Sequence, residues 1–99
     1  MSHQLRFTQA ALEDVERLYR FLAEQDSQAA DAAIHALEKA WELLSIFPLS
    51  ARKADPANPF LRELLITFGS AGYVALFQIE DDTTITILAI RHQREDDYH

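Results

Sequence analysis

The apolar residues of this chain change period once, and that change bounds what it can fold into. From residue 9 to residue 46 they recur at steps of three and four, the spacing of one helix face. From residue 60 to residue 90 they alternate or run together, the spacing of strands. All 3 prolines (Pro48, Pro56 and Pro59) fall between the two blocks, with Ser50, Asp55 and Asn58. That composition predicts a loop, too short to be a linker between domains.

Within the first block, Leu12, Val15, Leu18, Tyr19 and Leu22 mark a helix over residues 9–24, with Thr8 placed to cap it. Glu13 and Glu16 each stand four residues before an arginine, Arg17 and Arg20, the favourable order for helix pairs. Ala30, Ile34, Leu37, Trp41 and Leu44 mark a second helix over residues 28–46, capped by Asp26 or Ser27 and ended at Phe47-Pro48. So short a break between helices predicts an antiparallel hairpin.

Ahead of the helices, Leu5 and Phe7 alternate with Gln4 and Arg6, a short strand. Behind the loop, Phe60, Arg62, Leu64, Ile66 and Phe68 share one face of a strand, and Leu61, Glu63, Leu65 and Thr67 the other. Tyr73 to Ile79 is almost wholly apolar, and Thr83 to Ile90 is rich in β-branched residues. The turns at Gly69–Gly72 and Glu80–Asp82 are short, so these three strands form an antiparallel meander. The expected fold class is α+β, in the order β-α-α-β-β-β. The helix hairpin packs on one face of a mainly antiparallel four-stranded sheet. Residues 1–99 read as a single domain, with Arg91 to His99 as a polar tail.

Composition excludes several functions. There is no cysteine, hence no disulfide framework and no thiolate metal site. No apolar run is long enough to span a bilayer, and Met1 to Thr8 holds no signal core, so the expected location is cytoplasmic. The formal net charge of -7 argues against a general nucleic-acid binder. The charge is uneven: residues 9–47 hold eight acids and three bases, whereas residues 50–79 hold two acids and three bases. No glycine-rich phosphate loop is present, and the histidines have no metal-ligand spacing, so neither metal nor cofactor is expected.

Two places could carry chemistry. Arg91-His92-Gln93-Arg94 follows the last strand directly, and arginine forks beside an imidazole suit phosphate binding and proton transfer. The same cluster also reads as a basic strand end neutralised by Glu95, Asp96 and Asp97. Arg62, on the apolar face of its strand, must reach solvent, pair with an acid or line a site. An ion pair with an acidic helix residue is the favoured expectation. Asp14, Glu38 and Glu42 read as a solvated helix face, and the aromatic residues as core.

The ordered set of segments resembles the RelE/ParE superfamily of toxins from bacterial type II toxin–antitoxin systems, its ParE-like branch in particular. Leu5-Arg6-Phe7 leading into Thr8-Gln9-Ala10-Ala11-Leu12-Glu13-Asp14-Val15 is similar to the family's opening strand and helix start. Leu43-Leu44-Ser45-Ile46-Phe47-Pro48 resembles the proline-closed helix end, and Phe60-Leu61-Arg62-Glu63-Leu64 the arginine-bearing strand. Gly72-Tyr73-Val74-Ala75-Leu76-Phe77 resembles the tyrosine-led strand. Ile87-Leu88-Ala89-Ile90-Arg91-His92-Gln93-Arg94 resembles the closing strand with its His-x-Arg ending.

The resemblance implies a growth-inhibiting toxin directed at DNA gyrase, with no catalytic residues of its own, neutralised by a cognate ParD-like antitoxin. The other branch implies a ribosome-dependent mRNA endonuclease, for which Arg62, Arg91, His92 and Arg94 would be the candidates. A toxin fold that has lost toxicity is a third alternative. In the first reading Arg91, His92, Arg94 and Tyr98 contact the target. The antitoxin then folds along Leu61, Leu65, Leu18 and Leu22, supplying basic residues against the acid-rich helices. Self-association is left open; direct specific nucleic-acid binding and membrane binding are not expected.

Overall fold

The computed structural model describes residues 2–68 and 71–92. Strand β1 (Gln4–Phe7) leads into helices α1 (Gln9–Gln25) and α2 (Ser27–Ile46). A 3₁₀ turn (Pro48–Ser50) then leads to strands β2 (Arg52–Asp55), β3 (Asn58–Phe68), β4 (Ala71–Ile79) and β5 (Thr84–His92).

The helix boundaries follow from capping chemistry. The Thr8 hydroxyl accepts from the Ala11 N–H at 3.0 Å and starts α1. Asp26 ends α1 by donating its own N–H to Leu22 O, and starts α2 by accepting from Gln28 N–H at 2.9 Å. One residue therefore serves both helices, which makes the hairpin tight. Phe47 closes α2 ahead of Pro48, which cannot continue it.

The sheet runs in the order β1-β5-β4-β3-β2, antiparallel except where β1 lies parallel to β5. Its inner face is Leu64 and Ile66 of β3, Tyr73, Ala75, Phe77 and Ile79 of β4, and Ile85, Ile87 and Ile90 of β5. A bulge keeps the last three together. Phe77 faces Ile87 and Leu76 faces Ala89, so Leu88 is an extra residue and Ile90 returns to the inner face. Ala11, Leu37, Ala40 and Leu44 of the helices cover this face, and Phe7 meets the Trp41 ring edge-on at 5.3 Å. The outer face carries Leu61, Leu65, Val74 and Leu76, and no helix lies over it among the described residues.

The sheet has five strands where the sequence predicts four. The additional strand, β2, lies inside the proline-rich segment. Its residues, Arg-Lys-Ala-Asp, show no apolar alternation. What makes it a strand is pairing with β3: Arg52 faces Glu63, and their side chains form an ion pair at 2.8 Å. The last strand also outruns expectation. Arg91 and His92 belong to β5, paired with Val74 and Tyr73, and are not part of a polar tail. No helix among the described residues is long and apolar enough to cross a membrane.

Candidate binding cleft between helix α1 and strand β5

The site begins where β1 ends. The last β1 register pair is Phe7 with Ile87; at Thr8 the chain turns into α1. The Thr8 N–H donates to Ile87 O at 3.0 Å, and its hydroxyl donates to Leu88 O at 3.2 Å. Beyond that point β5 has no strand beside it on this edge among the described residues, yet it is covered by α1. A covered main-chain N–H needs an acceptor. Asp14 supplies one: its Oδ2 accepts from the Ile90 N–H at 2.9 Å.

Asp14 is only 4% exposed, a buried carboxylate and not the solvated helix residue that the sequence suggests. Its other oxygen, Oδ1, meets the Arg91 guanidinium at 2.5 Å and that of Arg17 at 3.3 Å. Three donors from two elements thus surround one carboxylate, the arrangement that makes a buried charge tolerable. Arg17 pairs here and not with Glu13, whereas the expected pair of Arg20 with Glu16 is formed. Arg91 also donates to Ile90 O at 3.2 Å.

Beside this pair, the His92 ring stands edge-on to Tyr73 at 5.3 Å and 88°. Tyr73 is buried, and burial pushes its hydroxyl above the ordinary tyrosine pKa. Together Asp14, Arg17, Leu18 and Phe21 of α1, Tyr73 of β4, and Ile90, Arg91 and His92 of β5 line a cleft of 420 Å³. Its walls are apolar and its rim is cationic. Phe21 is 57% exposed at the mouth. Such a cleft suits an apolar side chain flanked by a carboxylate, which is recognition chemistry.

Of the expected target-contacting residues, the structure brings Arg91 and His92 together here; Arg94 and Tyr98 lie outside the described residues. Arg62 is elsewhere. Its Nε donates to Pro59 O at 2.7 Å and its guanidinium to Ala51 O at 2.8 Å and Leu49 O at 3.5 Å. The expected ion pair with a helix acid is replaced by bonds to main-chain carbonyls that fasten the 3₁₀ turn and β2 to β3. Arg91 is in register with Val74 and Leu65, two strands away from the Arg62 strand position. The four expected antitoxin residues divide. Leu18 packs against the core and lines the cleft, and Leu22 is half-buried on α1. Leu61 and Leu65 lie on the outer face of the sheet. Asp14, Phe21 and Tyr73 were missed as site residues. Only Asp14 had a signal, its place on the inward stripe of α1 between Ala11 and Leu18.

Two helices on one face of a sheet of this order, with α1 tied to the end of β5, define a small α+β fold. A solved structure from the chromosomal ParDE toxin–antitoxin system of P. aeruginosa matches it with a TM-score of 0.70. That match covers 92% of this chain and 96% of the other at 20% identity, a likeness of fold. Toxin RelE3 of Caulobacter vibrioides is 35% identical over 86 residues, covering 86% of this chain and 88% of that protein. Residues 5–97 match the family of the ParE toxin of the type II toxin–antitoxin system parDE, and the chain belongs to that family. It is the toxin half of a two-component system, whose other half is an antitoxin protein.

Proposed function

We propose that this toxin arrests growth by binding DNA gyrase in the cytoplasm and is neutralised by a ParD-like antitoxin. The observation that carries the reading is the use already made of its arginines. Arg62 is spent on three main-chain carbonyls, and Arg91 on the buried Asp14 carboxylate. Cleavage of a phosphodiester calls for several cations converging on one phosphate with a base beside them. Arginines anchored apart, at opposite sides of β4, favour recognition over cutting. The net charge of -7 supports the same reading, since it disfavours docking on ribosomal RNA.

The target-contacting element in this reading is the end of β5, Arg91 and His92, with Arg94 and Tyr98 in the residues that follow. The antitoxin contacts Leu18 and Leu22 on the helix side and Leu61 and Leu65 on the outer face, so it passes around an edge of the sheet. The test is induction with and without the adjacent gene, followed by primer-extension mapping of messenger on translating ribosomes. Growth arrest relieved by the neighbour, with no new messenger ends, is expected. An A-site cut abolished by Arg62→Ala or His92→Ala would establish the endonuclease instead. A stable, folded chain that leaves growth unaffected would mark a toxin fold that has lost its activity.

A further inference from the structure

A second cleft, of 280 Å³, lies at the opposite end of the sheet, where no role has yet been assigned. The main chain of His3 is tied to the end of α2, its N–H donating to Ser45 O at 2.6 Å. The 3₁₀ turn, anchored by Arg62, brings Pro48 and Leu49 to one wall. Phe60 and Ile79, one residue beyond the register pair of Leu61 with Gln78, form another. Leu49 is 63% exposed and Phe60 53%, and Phe47 and Ile46, just ahead of Pro48 in the chain, are exposed as well. Exposed apolar residues gathered at a cleft mark a contact surface.

The rim fixes what kind of contact it is. Glu80, Asp81 and Asp82 line the same cleft and stand together in the β4–β5 turn. Asp81 is held by the Thr83 N–H and hydroxyl at 2.8 and 2.9 Å, which orients the turn. None of the three carboxylates forms an ion pair among the described residues. Apolar walls, an exposed aromatic ring and three carboxylates together describe a receptor for one chemical group. A long side chain with an apolar stem and a cationic, donor-rich head fits all three.

We propose that this cleft seats a lysine or arginine side chain of the antitoxin, flanked by apolar residues that lie along Leu49, Phe47 and Ile46. The inference rests on the toxin–antitoxin reading and extends it, since the antitoxin residues expected from sequence lie elsewhere. Leu61 is the neighbour of Phe60 on β3, pointing to the outer face. Phe60 and Leu61 thus lie on opposite faces of β3, an inner strand flanked by β2 and β4, and a segment that touches both must round the sheet. The carboxylates draw a cationic segment toward a chain of net charge -7, and the exposed apolar residues retain it.

The test compares the full-length wild type with two variants, binding each to the purified product of the adjacent gene. The first is the double reversal Glu80→Lys with Asp82→Lys, which leaves Asp81 to hold the turn; the second is Leu49→Asp. Both alter exposed positions, and melting curves verify that each variant folds. The expected result is an antitoxin Kd weakened about tenfold or more in each variant. The affinity of the charge-reversed protein should also lose most of its salt dependence. Growth arrest by the variants expressed alone should persist. Affinity within about twofold of wild type overturns the proposal. So does intact antitoxin binding with lost toxicity, which assigns the cleft to the target. A change in oligomeric state between wild type and variants, with antitoxin affinity unchanged, overturns it in favour of a contact between copies. Failure of the wild type itself to bind the neighbour's product overturns the toxin–antitoxin reading and the inference with it.

Discussion

Asp14 stands where a strand would continue. β1 stops at Phe7, and the next covered N–H on that edge of β5 is met by a helix carboxylate. Removing it leaves Ile90 unsatisfied and Arg91 without its buried partner, and breaking such a pair costs about 3–5 kcal/mol. Because Arg91 is 23% exposed and can turn to water, Asp14→Ala should fall at the lower end, about 3 kcal/mol. Asp14→Asn keeps an acceptor for Ile90 and should cost about 1–2 kcal/mol. Urea unfolding of the two variants checks the order; equal losses would mean that the Ile90 bond contributes nothing. Arg62 makes a parallel case. Arg62→Lys cannot reach Pro59 and Ala51 with one planar fork, so it should restore little of the stability lost in Arg62→Ala. Hydrogen exchange in residues 48–55 should quicken in both, with β4 and β5 unaffected. Asp14 was read from the sequence as a solvated helix residue; its place between buried Ala11 and half-buried Leu18 was a signal that reading passed over. The partners of Arg62 were not legible, because main-chain carbonyls carry no residue identity to read.

At the scale of elements, the helices and the long strands were legible, because each carries its own period and its own stop. Thr8, Asp26 and Phe47 all act as the sequence suggests. Thr8→Ala should cost about 1–2 kcal/mol, since it removes both the cap and the hydroxyl bond to Leu88 O. A loss well below that in thermal unfolding would show the cap to be replaceable by water. β2 was not legible, because its strand character comes from β3 and not from its own residues. As a four-residue edge strand bearing Arg52 and Lys53, it is also protected against pairing with other chains. The β4–β5 turn gives a pH prediction. Hydrogen bonds from Thr83 hold the Asp81 carboxyl below the usual carboxylate range. The folded state therefore gives up this proton more readily than the unfolded chain. Its contribution is present above the ordinary value of about 3.9 and is lost as pH falls through the lowered one. Asp81→Asn should be less stable than wild type at neutral pH. The two should converge on acidification, which melting curves across acid pH would test.

At the scale of the whole molecule, the two clefts lie at opposite ends of the same sheet. One has guanidinium groups at its rim and the other carboxylates. The fold class was legible from the single change of period, and the family from the order of its segments. The clefts were not, because each is assembled from residues far apart in the chain, such as Asp14 with Arg91 and His3 with Asp82. The central claim is that this ParE-family chain acts by holding a protein target and not by cutting RNA. The most direct measurement is a supercoiling assay of purified DNA gyrase with the full-length protein, titrated with the product of the adjacent gene. Loss of supercoiling at toxin concentrations near that of the enzyme, restored when antitoxin matches toxin, is the predicted result. Full supercoiling at a large excess of a folded toxin that still arrests growth in cells would contradict it.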